Sequence, residues 1–173
     1  MPRDSAGSPQ PALLGLLMTE PKHGYELHQE FSRGLGGVWQ IGLSQLYAQL
    51  KQLEEAGLVA CTTEPQVNRP ARKVYRLTAE GRETFLTWVH QPTPYLRHIR
   101  VEFLARLFFF RRLALPGLAE FVARQKAVCQ DQAARFAQMA VQEQDGYRKL
   151  VLEFRQGQLL AVNRWLDRCL EVL

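Results

Sequence analysis

The stretch Ser44-Gln-Leu-Tyr-Ala-Gln-Leu-Lys-Gln-Leu-Glu-Glu-Ala-Gly57 is the part of the sequence that decides the fold. Leu46, Leu50 and Leu53 recur at the i, i+4 and i+7 spacing of one helix face. Ser44 offers an N-cap hydroxyl, and Gly57 suits a left-handed C-cap. The spacing therefore predicts an amphipathic helix whose opposite face is polar.

Two shorter helices are predicted before this helix, and a hairpin after it. Residues 11–18 and 23–33 carry apolar side chains at helical spacing, with Thr19-Glu-Pro21 between them. Residues 58–63 and 72–77 have the character of strands, with a long turn between them. Three helices followed by a two-stranded hairpin is the element order of a winged helix-turn-helix.

The chain is predicted to contain an arm and two domains. Residues 1–10 are rich in Pro, Gly and Ser and predict a flexible N-terminal arm. Residues 11–90 predict the winged helix-turn-helix, ending in a helix that Thr78 caps, and Gln91-Pro-Thr-Pro94 then breaks the pattern. Residues 95–173 predict helices only. The predicted fold class is therefore mainly α, with a two-stranded wing and a C-terminal helical domain.

The C-terminal domain is predicted to form a homodimer. Its helices are expected over residues 95–113, 116–144 and 147–173. At ~1.5 Å per residue, the middle helix would be about 40 Å long. Because a helix of this length cannot bury its apolar positions within its own half of the chain, we expect coiled-coil-like packing against a second copy.

Composition and motifs argue against several classes of protein. The 173 residues include 22 basic and 17 acidic side chains and have a net charge of +5, and the longest apolar run is far below the ~20 residues of a membrane span. The N-terminus does not resemble a secretory signal, so we expect a cytoplasmic protein with reduced cysteines. The four histidines lie singly and no catalytic, phosphate-binding or metal-ligand motif is present, so neither an enzyme nor a cofactor or metal is expected.

The polar helix face and the hairpin carry candidate contacts to double-stranded DNA. Glutamine can form two hydrogen bonds with adenine, Ser, Tyr and Lys can hold phosphates, and a small alanine permits close approach to a base. The hairpin supplies positive charge within an acid-free stretch of eight residues, Arg69 to Arg76. The alternatives are a solvated helix face and a hairpin edge that cations protect from edge pairing. The predicted DNA-binding residues are Ser44, Gln45, Tyr47, Ala48, Lys51, Arg69, Arg72 and Lys73.

Three motifs at these separations resemble the PadR family of bacterial transcriptional regulators. They are His23-Gly-Tyr-Glu-Leu27, Leu46-Tyr-x-x-Leu-x-x-Leu-Glu54 and Tyr75-Arg-Leu-Thr-x-x-Gly81, and the resemblance covers about residues 11–90. Residues 95–173 are similar to the multi-helix C-terminal part of the larger members. The resemblance implies a winged helix-turn-helix repressor that dimerises through its C-terminal helices, binds an inverted-repeat operator and is often released by small aromatic or drug-like molecules.

An effector site is predicted near the break between the two domains. Trp88 precedes the break, and Arg97, Arg100 and Phe103 follow it, so a planar aromatic compound could stack on the indole while arginine holds its carboxylate. The alternative is a solvated basic helix face above an apolar core. A rival function for the whole chain is a winged-helix protein-interaction module that binds no DNA.

Overall fold

The structure, a computed structural model, describes residues 7–66 and 69–173. Residues 1–6 of the predicted arm lie outside the described residues. The fold class is confirmed as mainly helical with one small antiparallel sheet. The elements in chain order are α1 (Gln10–Leu16), β1 (Lys22–His23), α2 (Gly24–Leu35), α3 (Leu43–Glu55), β2 (Val59–Gln66), β3 (Arg69–Leu77), α4 (Ala79–His90), α5 (Leu96–His98), a π-helical turn (Ile99–Phe103), α6 (Leu104–Arg112), α7 (Leu118–Gln142) and α8 (Gly146–Val172).

These elements form two compact units whose boundary differs from the predicted one. The first unit contains the chain up to Gln91 together with Arg100–Leu115, and the second contains Pro92–Ile99 and Pro116–Leu173. Residues 100–115, expected in a C-terminal domain beginning at residue 95, therefore belong to the winged-helix unit. The reason is packing, because Phe109 of α6 lies against Phe85 of α4, with ring centroids 5.2 Å apart.

The predicted apolar stripe of α3 is buried in the first unit. Leu46, Leu50 and Leu53 are at most 1% exposed. The N-cap is Gly42 rather than the predicted Ser44. The backbone at Gly42 is extended while its carbonyl already accepts the Leu46 N–H at 2.9 Å, so the helix begins one residue before Ser44.

The wing is the outer part of a three-stranded antiparallel sheet with the order β1-β3-β2. The two-residue strand β1 was not predicted, because two residues carry no alternation pattern. Strands β2 and β3 are also longer than the expected 58–63 and 72–77. The ladder continues past Pro65 by way of an irregularity between Glu64 and Gln66, which the prolines of this stretch obscured in the sequence. Thr78 caps α4 as predicted, since its hydroxyl accepts the Gly81 N–H at 3.0 Å.

The second unit is built around the antiparallel pair α7 and α8. Both helices begin and end within about two residues of the predicted bounds. Leu152, Leu159 and Leu166 recur every seven residues on the buried side of α8. The helix expected over residues 95–113 runs without a break from Leu96 to Arg112, but its hydrogen bonding becomes π-helical over Ile99–Phe103 between α5 and α6.

An amide clasp holds the segment before α5 against α7 within the second unit. The fully buried Gln125 accepts the Thr93 N–H at 2.6 Å through its side-chain oxygen and donates its amide N–H to the Thr93 carbonyl at 3.0 Å. Two turns further along α7, the side-chain amide of Gln132 donates to the Pro94 carbonyl. A buried backbone that no strand pairs is satisfied in this way by side chains of a helix.

Candidate nucleic-acid interface

The five candidate residues of α3 lie on its free face. Buried leucines hold the opposite side of the helix, so the polar face points away from the core of the first unit. Lys51 forms a 3.7 Å ion pair with Glu55 one turn later, and because both side chains are exposed, this pair is of low energy and can exchange for a phosphate. The exposed candidates on α3 are Ser44, Gln45, Tyr47, Ala48 and Lys51.

Tyr47 is fixed by a close approach to the start of α2. A Cβ atom at Gly24 would overlap the Tyr47 ring, so glycine is required there for the ring to lie against the helix backbone. The ring remains 42% exposed. Tyr47 thus both joins α3 to α2 and presents its hydroxyl at the surface of the helix pair.

The basic residues of the wing have acidic neighbours that the sequence did not reveal. Arg72 lies 3.7 Å from Glu64 on the adjacent strand, and Lys73 lies 3.9 Å from Glu54 of α3. Residues 69–76 contain no acid, but the fold places two carboxylates beside the cations of the wing. Strand pairing and the α3 C-terminus bring these carboxylates in. The backbone of Arg69 begins β3, and its side chain lies outside the described part of the chain.

The base of the wing is anchored to the helix pair through β1. His23 pairs with Val74 in the sheet, and its Nδ1 lies 3.4 Å from the Lys73 carbonyl. Tyr75 in the same strand is buried, and burial, with smaller contributions from Cys61 and Glu54, raises the pKa of its phenol to about 12. This phenol therefore stays neutral and adds no charge to the wing.

The connection between α2 and α3 is held by two side chains of α2. The Nε2 atom of His28 lies 3.1 Å from the Ile41 carbonyl, two residues before α3 begins. Phe31 packs edge-on against Trp39, with ring centroids 5.9 Å apart. Both contacts set where α3 begins relative to α2. Sequence reasoning missed His28, because a single histidine carries no motif.

The predicted effector residues lie in different surroundings. Phe103 is fully buried, Arg100 is exposed, and Arg97 belongs to the second unit, where its guanidinium lies 5.0 Å from the Tyr95 ring centroid. The guanidinium of Arg106 lies 4.7 Å from the Trp88 indole centroid, a contact that the sequence did not predict.

Arg106 is buried and therefore does not lie on a solvated basic helix face, the alternative to an effector site. Its side chain is 4% exposed and forms a 3.2 Å ion pair with Glu102. Burial lowers the pKa of the Arg106 guanidinium, and Glu102 opposes that shift. The spacing of four residues between Glu102 and Arg106 was a sequence signal for their ion pair, but not for the burial of Arg106.

No cluster of three or more His, Cys, Asp or Glu side chains suited to a metal occurs in residues 7–66 and 69–173. In the same ranges, no helix is both long enough and apolar enough to cross a bilayer. Cys61, Cys129 and Cys169 are free thiols, and burial raises the pKa of each. Cys61 is half-buried, whereas Cys129 and Cys169 are buried.

Two solved structures of Bacillus subtilis PadR align with most of the chain. The complex with operator DNA has 22% identity, a TM-score of 0.49 and coverage of 95% of this chain and 97% of that one. The complex with p-coumaric acid has 23% identity, a TM-score of 0.43 and coverage of 96% and 95%. Among characterised sequences, the negative transcriptional regulator PadR of B. subtilis strain 168 is 32% identical over 105 residues. That match covers 60% of this chain and spans 57% of the relative.

Two family models together account for nearly the whole folded chain. Residues 13–86 match the transcriptional regulator PadR-like family, and they contain α2, α3 and the wing. Residues 99–173 match the C-terminal family described as virulence activator alpha, which covers α6 to α8. Residues 13–86 belong to the PadR-like family of transcriptional regulators, and residues 99–173 add a multi-helix C-terminal region that matches a second family.

Proposed function

We propose that this chain is a cytoplasmic transcriptional repressor that binds an inverted-repeat operator as a homodimer and is released from it by a small aromatic acid. It acts by binding and carries out no catalysis. The observation that carries the proposal is the free face of α3, where polar and small side chains stand exposed above a fully buried leucine stripe. A helix of this kind beside a basic β-ribbon fits a major groove and the neighbouring backbone.

The contacts to DNA divide into base reading and phosphate binding. Gln45 and Ala48 lie near the start of α3, where a recognition helix meets base edges. Lys51, Arg72 and Lys73 supply the cations, each of which forms an exposed ion pair. Such pairs are worth at most about 1 kcal/mol, so exchanging them for phosphates costs little.

The homodimer is proposed to form through α8. Tyr147, Leu150 and Phe154 follow one another at helical spacing near its start, and each is at least 65% exposed. Trp165 continues the apolar surface towards the C-terminus. An exposed apolar stripe along a 27-residue helix is typical of a protein–protein interface. Two copies related by a twofold axis would place two α3 helices on two half-sites.

The effector is proposed to be a planar aromatic carboxylate. B. subtilis PadR has been solved with p-coumaric acid, a compound of this class. In the present chain, Trp88 and Arg106 supply an indole face and a guanidinium next to each other. Any such effector must bind the DNA-free form more tightly than the DNA-bound form, because equal affinity would leave the equilibrium unchanged.

Selection of genomic fragments bound by the full-length protein tests the proposal. We expect enrichment of a palindromic site, retarded in gels at several salt concentrations, with affinity falling as salt rises. The rival function, a winged-helix module for binding proteins, predicts that no fragment is enriched and that any binding to DNA disappears at moderate salt.

A further inference from the structure

Helix α6 contacts the helix-turn-helix directly, although it lies well beyond the residues that match the DNA-binding family model. Phe108 and Arg112 lie one turn apart on α6 and both face α2. The Nη2 atom of Arg112 donates to the Glu30 carboxylate at 2.7 Å, and its guanidinium also lies 5.9 Å from the Phe108 ring centroid. The contact therefore combines charge with aromatic packing.

Glu30 joins this contact to the wing. One of its carboxylate oxygens accepts from Arg112, and the other lies 3.4 Å from the Lys22 ammonium. The Lys22 side chain is only 4% exposed and also pairs with Glu20 at 2.6 Å. Because a buried ammonium needs carboxylate partners, Lys22 fixes β1 to α2. Strand β1 in turn pairs with β3 of the wing, with Lys22 opposite Tyr75.

The apolar half of the contact is a close approach of Phe108 to the backbone of α2. A Cβ atom at Gly34 would lie 2.5 Å from the Cζ atom of Phe108, so the ring of Phe108 rests against the bare backbone near the end of α2. Glycine costs about 1 kcal/mol relative to alanine in a helix interior. The close approach of α6 is the physical gain that offsets this cost at Gly34.

We propose that α6 is a strut that positions α2 and β1 for operator binding, with Arg112 and Phe108 as positioning residues that touch no DNA themselves. The inference rests on the proposed function. Operator affinity then depends on residues 104–112, because they hold Glu30 of α2 in place. The recognition surface itself lies on α3 and the wing. A movement of α6 would therefore change the DNA-binding surface without altering any residue on it.

Arg112→Met in the full-length protein tests the strut, with Arg111→Met as the matched control. Both changes remove one positive charge from adjacent exposed positions of α6. We expect Arg112→Met to accelerate amide hydrogen exchange in α2 about tenfold and to weaken operator binding about tenfold, while binding to random DNA matches that of the control. Equal hydrogen exchange in the two variants, or unchanged operator affinity in Arg112→Met, would overturn the proposal.

A steric pair provides a second test that does not depend on charge. Gly34→Ala should push Phe108 away and weaken operator binding, whereas Gly37→Ala, which adds a methyl group to open space, should not. Adding Phe108→Leu to Gly34→Ala should restore affinity, and failure of this rescue would contradict the strut. Hydrogen exchange is measured without DNA and therefore tests the role of α6 independently of the proposed function. If exchange is faster in Arg112→Met but the wild type binds no operator, the proposed function is rejected and the structural role of α6 is not.

Discussion

The guanidinium of Arg106 lies 4.7 Å from the centre of the Trp88 ring, while Glu102 holds the same guanidinium in a 3.2 Å ion pair. The pair occurs where a π-helical turn passes into α6, an irregularity often found at functional sites. One face of the indole is therefore covered by a cation of the protein itself. A bound aromatic acid would compete with Glu102 for Arg106 or use another face of Trp88.

Trp88→Ala should abolish the response to the effector. We expect titration of the wild type with phenolic acids to quench tryptophan fluorescence and to release operator DNA over the same concentration range. Trp39→Phe is the control, because it removes a tryptophan but keeps an aromatic ring to pack on Phe31 in the α2–α3 connection, so both responses should stay intact. Quenching that persists in Trp88→Ala, or that occurs without release of DNA, would contradict the assignment of Trp88.

Local patterns predicted most of the fold but not the partners of individual side chains. The stripe of Leu46, Leu50 and Leu53 determines α3, because burial of one face needs only helical spacing. The burial of Arg106 could not be predicted in this way, since it depends on Trp88, which lies eighteen residues earlier. Likewise, Glu64 and Arg72 meet only because the strand register places them opposite each other.

Replacing both Arg69 and Arg72 with alanine should weaken binding to all duplexes alike. Each phosphate contact that is lost should reduce the slope of log affinity against log salt by about one, because fewer counterions are released. Glu64→Gln provides the opposite test, since removing the partner of Arg72 should strengthen binding at low salt. A salt slope that the double substitution leaves unchanged would remove the wing from the interface.

His28→Leu should impair operator binding more than His28→Gln. The imidazole reaches the Ile41 carbonyl, and a glutamine amide can replace the donor whereas leucine leaves the carbonyl without it. We expect an affinity loss of about fivefold for the leucine variant, corresponding to roughly 1 kcal/mol, and near wild-type affinity for the glutamine variant. Thermal unfolding shows whether the loss of affinity comes from lower stability of the fold or from a displaced α3. An equal loss of affinity in both variants would exclude a role for the hydrogen bond.

Phe154→Glu combined with Leu150→Glu should dissociate the dimer. Both side chains are 65% exposed on α8, and buried charges in an apolar interface are strongly unfavourable. Arg148→Gln, on another face of the same helix, is the control and should leave the mass unchanged. Light scattering at micromolar concentration should give twice the chain mass for the wild type. A monomeric wild type, or a double variant that remains dimeric, would contradict the α8 interface.

The most direct test of the central claim is the affinity of wild type and Gln45→Ala for the selected operator and for a scrambled duplex, measured by fluorescence anisotropy at several salt concentrations. Gln45 stands exposed in the first turn of α3, where it can read a base edge. We expect Gln45→Ala to lose about 1–3 kcal/mol on the operator and much less on the scrambled duplex, with an unchanged salt slope. An equal loss on both duplexes would make Gln45 a backbone contact, and a wild type that binds both duplexes equally at every salt concentration would contradict operator recognition by α3.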